Sequence, residues 1–174
     1  MIESRHRLVV ALIAALLLGA CATTPEPTQW PDIAGAMTPE PNRMISGQPS
    51  PAELVEARQA GITHVVNARD IGEFEAWNET ELVETLGMTY HRVPIGNTQD
   101  LDLDAVRSFD RILSDIGDER ALLHCASGNR IGALFALRAA WLQGRDAEEA
   151  IEIGQARGLT GLSDTVRQLI EAED

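Results

Sequence analysis

Short apolar runs alternate along the chain with segments of helical periodicity, and this alternation limits the folds available to it. Runs typical of buried strands, rich in aliphatic or β-branched residues, lie at 44–47, 62–68, 88–95 and 121–125. Helical patterns separate and follow them, and five end at a glycine, the residue that most readily ends a helix: Gly61, Gly87, Gly117, Gly144 and Gly158. The pattern predicts an α/β domain with a mainly parallel central sheet of four to five strands flanked by helices.

The first twenty residues differ from the rest of the chain. Arg5 and Arg7 precede an apolar run over 8–18 that is too short to span a bilayer comfortably, as in an export signal. The run 18–21, Leu-Gly-Ala-Cys, resembles the lipobox of bacterial lipoproteins. That resemblance implies cleavage before Cys21, acylation of Cys21, and a membrane-anchored protein that faces the periplasm. A signal cleaved in the ordinary way and a short membrane anchor are the alternatives.

Residues 21–42 carry five of the eight prolines of the chain and show little apolar periodicity. This composition predicts an extended tether between the lipid and a domain over 43–174. The helix that would open this domain begins with a capping box, Ser50 to Glu53, with Pro51 at its first position.

Charge and composition exclude several classes of protein. The chain has 27 acidic residues and 14 basic ones, for a net charge of −13, which argues against a nucleic-acid partner. Every basic residue is arginine, so neither Schiff-base chemistry nor a phosphate-binding lysine is available. With only two cysteines in the chain and Cys21 assigned to the lipid, Cys125 is left as an unpaired thiol in an exported protein.

The segment around Cys125 carries the pattern with the clearest chemistry. His124 and Cys125 end a predicted strand, 126–129 form a tight turn, and Arg130 stands at the head of a helix. Free N–H groups of such a turn and of a helix start form an anion site, which an arginine can close with two hydrogen bonds. The same positive field favours thiolate over thiol. The segment therefore predicts a nucleophile beneath a bound oxyanion.

The run HCASGNR resembles the phosphate-binding loop of the cysteine-dependent phosphatases, the protein tyrosine and dual-specificity class. Residues 43–143 resemble, more narrowly, the bacterial dual-specificity-like phosphatases related to the beta-lactamase-hydrolase-associated family. The resemblance implies a phosphorylated substrate, no metal or cofactor, and a cysteinyl-phosphate intermediate on Cys125. It also implies that His124 tunes the loop and that phosphoryl oxygens bind the Arg130 side chain and the loop residues Ala126, Ser127, Gly128, Asn129 and Arg130.

The general acid of such an enzyme protonates the leaving group and is usually an aspartate on a neighbouring loop. Asp100, after the run 88–95, is the first candidate. Asp102 is the second, although it is equally suited to capping the next helix. Asp70, after the run 62–68, also stands at the carboxyl end of a predicted strand.

Two departures from the phosphatase pattern leave other functions open. Four residues separate Cys125 from Arg130, where most cysteine phosphatases have five, and the shorter loop is also that of rhodanese-type sulfurtransferases. Ile131 stands where many phosphatases have Ser or Thr. The alternatives are a sulfurtransferase that uses a Cys125 persulfide and a non-catalytic lipoprotein that binds anions. Purely structural roles are also open for these residues: a buried Cys125, a surface ion pair for Arg130, a core His124 and a solvated Asp100.

Overall fold

The computed structural model describes residues 29–74 and 76–173. Its sheet has five strands: β1 (Met37–Glu40), β2 (Arg43–Ser46), β3 (His64–Arg69), β4 (Thr89–Ile95) and β5 (Ala121–His124). Their order across the sheet is β1-β2-β5-β3-β4, with β1 antiparallel to β2 and every other pair parallel. The predicted fold class is confirmed.

Six α-helices lie on the described part of the chain: α1 (Pro51–Gln59), α2 (Glu79–Thr85), α3 (Leu103–Ile116), α4 (Asn129–Gln143), α5 (Ala147–Gln155) and α6 (Ser163–Glu173). A short 3₁₀ helix, Thr98–Asp100, follows β4. The predicted capping box of α1 is present, with the Ser50 hydroxyl accepting from the Glu53 N–H and the Glu53 carboxylate from the Ser50 N–H. The predicted helix over 75–86 begins instead at Glu79, because the Asn78 side chain caps it there. Residues 70–78 are thus left largely as a loop after β3.

Both faces of the sheet are buried, as parallel strands require. One face packs against α3 to α6, where Phe109 meets Phe135 edge to face at 5.0 Å between ring centroids. The other face packs against α1 and α2. Successive residues of β5 divide between the two cores, Leu122 joining the second and Leu123 the first. Cys125 belongs to the first core.

The predicted tether over 21–42 needs correction at its carboxyl end. Residues 37–40 form β1, Ile33 is buried, and the guanidinium of Arg120 lies 3.9 Å from the Trp30 ring centroid. Proline is tolerated here because β1 is an edge strand, whose outer N–H groups need no ladder partner. The predicted signal over 1–20 and residues 21–28 lie outside the described residues. Among the described helices, none is both long and apolar enough to cross a bilayer.

The parallel pairing brings three loops to one edge of the sheet. β5 lies between β2 and β3, and β4 lies beyond β3. Asn67 pairs with His124, so the loops that follow β3 and β5 start side by side. The loop after β4 starts one strand further out. This edge holds the residues predicted to carry chemistry.

Candidate active site

Cys125 lies buried at the start of the loop 125–130, which we call the anion loop. Its Sγ accepts a hydrogen bond from the Gly128 N–H, with the two atoms 3.1 Å apart. Gly128 has φ +86°, a left-handed conformation that suits glycine, and it is the N-cap of α4, which begins at Asn129. The sulfur therefore lies beneath the N-terminus of α4, where the unpaired N–H groups and the helix dipole favour negative charge.

Contacts from two other segments hold the anion loop in place. Gly47 pairs with Ser127 in an isolated bridge, and a Cβ on Gly47 would lie only 2.9 Å from the Ala126 carbonyl oxygen. On the other side, the Asn129 side chain accepts a hydrogen bond of 2.8 Å from the Thr160 N–H. Ala126 and Ser127 are themselves exposed. The loop is thus fixed at its anchor points and open where a ligand would enter.

Arg130 is held by a carboxylate that the sequence analysis did not single out. Glu73 Oε2 accepts from Nη1 at 2.6 Å, and Glu73 Oε1 accepts from Nη2 at 3.0 Å. The hydrogen bond to Glu73 raises the pKa of Arg130, with smaller contributions from the charges of Cys125 and Asp70. The same bond lowers the pKa of Glu73 to about 2. The only hint in the sequence is an acidic residue in the loop after a predicted strand.

His124 lies behind the anion loop rather than in it. Its ring is fully buried, with Nε2 at 3.2 Å from Glu79 Oε1, within ion-pair distance but outside hydrogen-bond geometry, and Nδ1 at 3.4 Å from the Cys125 carbonyl oxygen. Glu79 also accepts from Gln48 at 2.8 Å, Asn67 at 2.6 Å and Tyr90 at 3.1 Å. Burial would raise the pKa of Glu79, but the contact with His124 and the hydrogen bonds from Gln48 and Tyr90 hold it below its ordinary value. His124 supports the loop and does not reach its anion side.

The three candidate aspartates have different surroundings. Asp100 Oδ2 accepts three hydrogen bonds within its own loop, from the Gly96 N–H at 2.8 Å and from the Asn97 N–H and side-chain amide at 2.9 Å each. Asp102 caps α3 by accepting from the Ala105 N–H. Asp70 is exposed at the end of β3, and its Oδ1 accepts from the N–H of the next residue.

A small cavity of about 120 Å³ opens beside Arg130. Besides Arg130, its lining residues are Ile95, Gly96, Asn97, Thr98, Leu101 and Leu162. Arg130 is the one charged residue among the described residues that line it. The space suits the uncharged part of a molecule whose anionic group sits on the anion loop.

Comparison with known proteins identifies the fold. A candidate phosphatase from Neisseria meningitidis Z2491 matches with a TM-score of 0.63 and 24% identity over 80% of this chain and 99% of its own. A candidate phosphatase from Shewanella putrefaciens CN-32 matches with a TM-score of 0.61 and 19% identity over 82% of this chain and 94% of its own. Tk-PTP in its active form matches with a TM-score of 0.60 and 19% identity over 81% of this chain and 99% of its own. The chain has the fold of the cysteine phosphatases.

Sequence comparison gives a second relationship. A beta-lactamase hydrolase-like protein from Xylella fastidiosa (strain Temecula1 / ATCC 700964) is 30% identical over 119 residues, which are 66% of this chain and 27% of that protein. The same protein from strain 9a5c matches equally. The chain therefore spans about a quarter of the length of the curated relatives it matches. No protein-family model matches the chain.

Proposed function

We propose that the protein is a cysteine-dependent phosphatase, which hydrolyses a phosphomonoester through a cysteinyl-phosphate intermediate. The observation that carries the proposal is the hydrogen bond from the Gly128 N–H to Cys125 Sγ at the N-terminus of α4. In this proposal the Cys125 sulfur is the nucleophile, and the free N–H groups at the start of α4 bind the phosphoryl group and stabilise the charge that develops on it. The fold shared with solved phosphatases supports the same conclusion.

Arg130 completes the phosphate site in this proposal. Glu73 takes one N–H from each terminal nitrogen of the guanidinium. Arg130 has five N–H donors in a planar fork, so its Nε side remains for phosphoryl oxygens. The two hydrogen bonds from Glu73 hold the guanidinium in its present direction. The expected binding set is Arg130 with the N–H groups of Ala126, Ser127, Gly128 and Asn129.

The reaction has two steps. In the first, Cys125 Sγ attacks phosphorus, an S–P bond forms, and the bond to the leaving oxygen breaks as that oxygen takes a proton from an acid. In the second, water attacks phosphorus, loses a proton to the resulting base, and the S–P electron pair returns to sulfur. Inorganic phosphate is released and the thiolate is restored.

Intact mass of the purified domain tests the proposal against the sulfurtransferase. Incubation with an aryl phosphate should add one phosphoryl group to Cys125 and release the phenol, and Cys125→Ser should do neither. A single added sulfur after incubation with thiosulfate, together with thiocyanate formed from cyanide, would instead establish the persulfide enzyme. Tight vanadate binding with no turnover of any phosphomonoester would establish an anion-binding lipoprotein.

We also propose that the mature protein is a lipoprotein anchored through Cys21 and facing the periplasm, as its first 21 residues suggest. Metabolic labelling with a palmitate analogue should mark the parent protein in the membrane fraction. Cys21→Ala should remove both the label and the membrane association. The natural substrate would then be a phosphomonoester that reaches that compartment, such as a phosphotyrosine or phosphoserine of an exported protein.

A further inference from the structure

The segment 156–162 between α5 and α6, which we call the α5–α6 turn, packs against the start of α4. Gly158 and Leu159 of this turn are buried. At its other end, Leu162 lines the cavity beside Arg130. The turn therefore borders both the anion loop and the cavity, although it is distant from the anion loop in the sequence.

Two glycines bring the backbones of α4, α5 and the turn into direct contact. A Cβ on Gly132 of α4 would overlap the backbone nitrogen of Leu159, and a Cβ on Gly154 of α5 would lie 2.8 Å from the Gly132 carbonyl oxygen. Glycine inside a helix lowers its stability relative to alanine. The close approach of the backbones explains its presence at both positions, and it fixes the turn against the first residues of α4.

The α5–α6 turn also contacts the peptide group that joins Gly128 to Asn129. The Gly128 carbonyl oxygen lies 3.1 Å from the point where a Cβ on Gly158 would stand, and it accepts from the Gly132 N–H at 3.0 Å. In a trans peptide the C=O and N–H bonds point in opposite directions. The Asn129 N–H therefore points out of the N-terminal end of α4, where it has no partner within the helix.

The Asn129 side chain is bound to the same turn. Its Oδ1 accepts from the Thr160 N–H at 2.8 Å. The Thr160 carbonyl oxygen in turn accepts from the Ser163 hydroxyl at 2.8 Å and from the Ser163 N–H at 3.1 Å, which anchors Thr160 to the start of α6. The side-chain oxygen of Asn129 is thus engaged by the protein itself, and its backbone N–H is the group left for an anion.

We propose that Asn129 is a positioning residue of the reaction: its side chain acts through Thr160 of the α5–α6 turn, and the turn thereby aims the Asn129 N–H at the phosphoryl group. This inference rests on the proposed phosphatase function. Helix ends fray, and the contacts of the turn oppose fraying at the residue where α4 begins. A donor that is fixed before the reaction stabilises the charge of the transition state without reorganisation. Loss of the contact should slow the chemical step more than it weakens substrate binding.

Two substitutions at position 129 test the role of the side chain on the full chain. Asn129→Ala should lower kcat for phenyl phosphate by about tenfold, lower vanadate affinity in parallel, and change KM by less than about threefold. Asn129→Asp keeps an oxygen that accepts from the Thr160 N–H, so its kcat should stay within about threefold of the parent value. Its added negative charge repels the bound dianion, and KM should rise instead.

A further variant disturbs the same peptide group from the side of the turn. Gly158→Ala adds a methyl group 3.1 Å from the Gly128 carbonyl oxygen at a residue with φ +96°. Gly144→Ala is its match, because Gly144 has φ +67° and no atom within 4 Å of the added methyl group. Both substitutions strain the backbone, but only Gly158→Ala presses on the anion loop. Gly158→Ala should lower kcat at least as much as Asn129→Ala, and Gly144→Ala should keep the parent kcat.

Asp146→Ala controls for the loss of a comparable hydrogen bond. Asp146 Oδ1 accepts from the Glu149 N–H at 2.9 Å and caps α5 at the end opposite the turn. Urea unfolding of Asp146→Ala should show a loss of stability. Its kcat and vanadate affinity should equal those of the parent.

The outcomes separate the positioning role from the phosphatase function. The positioning role is overturned if Asn129→Ala keeps the parent kcat, if Asn129→Asp loses kcat to the same extent, or if Asp146→Ala loses as much kcat as Asn129→Ala. A parent protein that binds vanadate but hydrolyses no phosphomonoester overturns the phosphatase function alone. Vanadate affinity then tests the positioning role, which equal binding by the parent and Asn129→Ala would overturn. A parent that does neither overturns both.

Discussion

Glu73 holds Arg130 with both carboxylate oxygens, at 2.6 Å from Nη1 and 3.0 Å from Nη2, and its Oε1 also accepts from Arg69 Nε at 3.1 Å. The carboxylate thus lies between two guanidinium groups at the edge of the anion loop. It fixes the direction of Arg130 and also places a negative charge close to any bound dianion. The first effect favours turnover, because it positions Arg130. The second opposes binding, because the carboxylate repels the dianion.

Substitution Glu73→Gln should separate those effects. Removing the negative charge should strengthen binding of inorganic phosphate, seen as a lower inhibition constant. Loss of the two-pronged contact should misplace Arg130 and lower kcat by about tenfold or more. Steady-state kinetics with phosphate as inhibitor measures both. Glu149→Gln, which breaks an exposed ion pair with Arg145, is the control and should change neither. Unchanged kcat in Glu73→Gln would contradict a positioning role.

The same ion pair should make stability depend on acid. The pKa of Glu73 is about 2 in the folded protein, against an ordinary value of 4.5. Because the pKa of Glu73 is lower in the folded protein than in the unfolded chain, its ionised carboxylate stabilises the fold fully at pH values above 4.5. This contribution disappears as the pH falls toward 2. We expect Glu73→Gln to lower the free energy of unfolding by about 1 kcal/mol at pH 7, since the pair is partly exposed, and by less at pH 3.

Urea unfolding at the two pH values measures this difference. Asp104→Asn, which removes an exposed carboxylate 4.0 Å from Arg107, should differ little from the parent at either pH. A Glu73→Gln deficit that stayed constant from pH 7 to pH 3 would show that the ionised carboxylate is not the source of the stability.

Gly128→Ala should damage the anion loop through the backbone. The residue has φ +86°, and a methyl group there would meet only ordinary contacts, the nearest at 3.6 Å from Ile45. The cost is therefore conformational, about 1–2 kcal/mol. Because the Gly128 N–H binds Cys125 Sγ, we expect vanadate affinity and turnover to fall as well.

Gly144→Ala is a matched control for that variant. Gly144 has φ +67° at the end of α4, with no atom within 4 Å of the added methyl group. It should lose similar stability, measured by thermal or urea unfolding, and keep its activity. Equal activity losses in both variants would indicate a general effect of instability rather than a specific effect on the loop.

Glu79→Gln should destabilise the support behind the anion loop. Oε1 of Glu79 faces Gln48 and His124, and Oε2 faces Asn67 and Tyr90. Either orientation of a glutamine amide would turn its NH₂ group toward an existing donor. We expect a loss of about 2–4 kcal/mol in the free energy of unfolding, whereas Glu84→Gln on the exposed side of α2 should be near neutral. A neutral Glu79→Gln would contradict the importance of this buried network.

Much of the fold was predictable because its signals are local. The capping box at Ser50, the apolar runs of β2 to β5 and the helix-ending glycines each depend on a few neighbouring residues. β1 was missed because Pro39 is compatible with a strand only at an edge. Edge position is a property of the assembled sheet.

The candidate site, like the fold, has a part that the local sequence predicts and a part that only the assembled sheet decides. The sequence alone predicted that Cys125, Gly128 and Arg130 lie close together, because the strand end, the turn and the helix start that join them are contiguous. It could not identify Glu73, because the contact between Glu73 and Arg130 depends on which strand pairs with β5. Long-range pairing places β3 next to β5 and β4 beyond it. The contacts that result from this pairing determine which carboxylate faces Arg130. They have no local sequence signal.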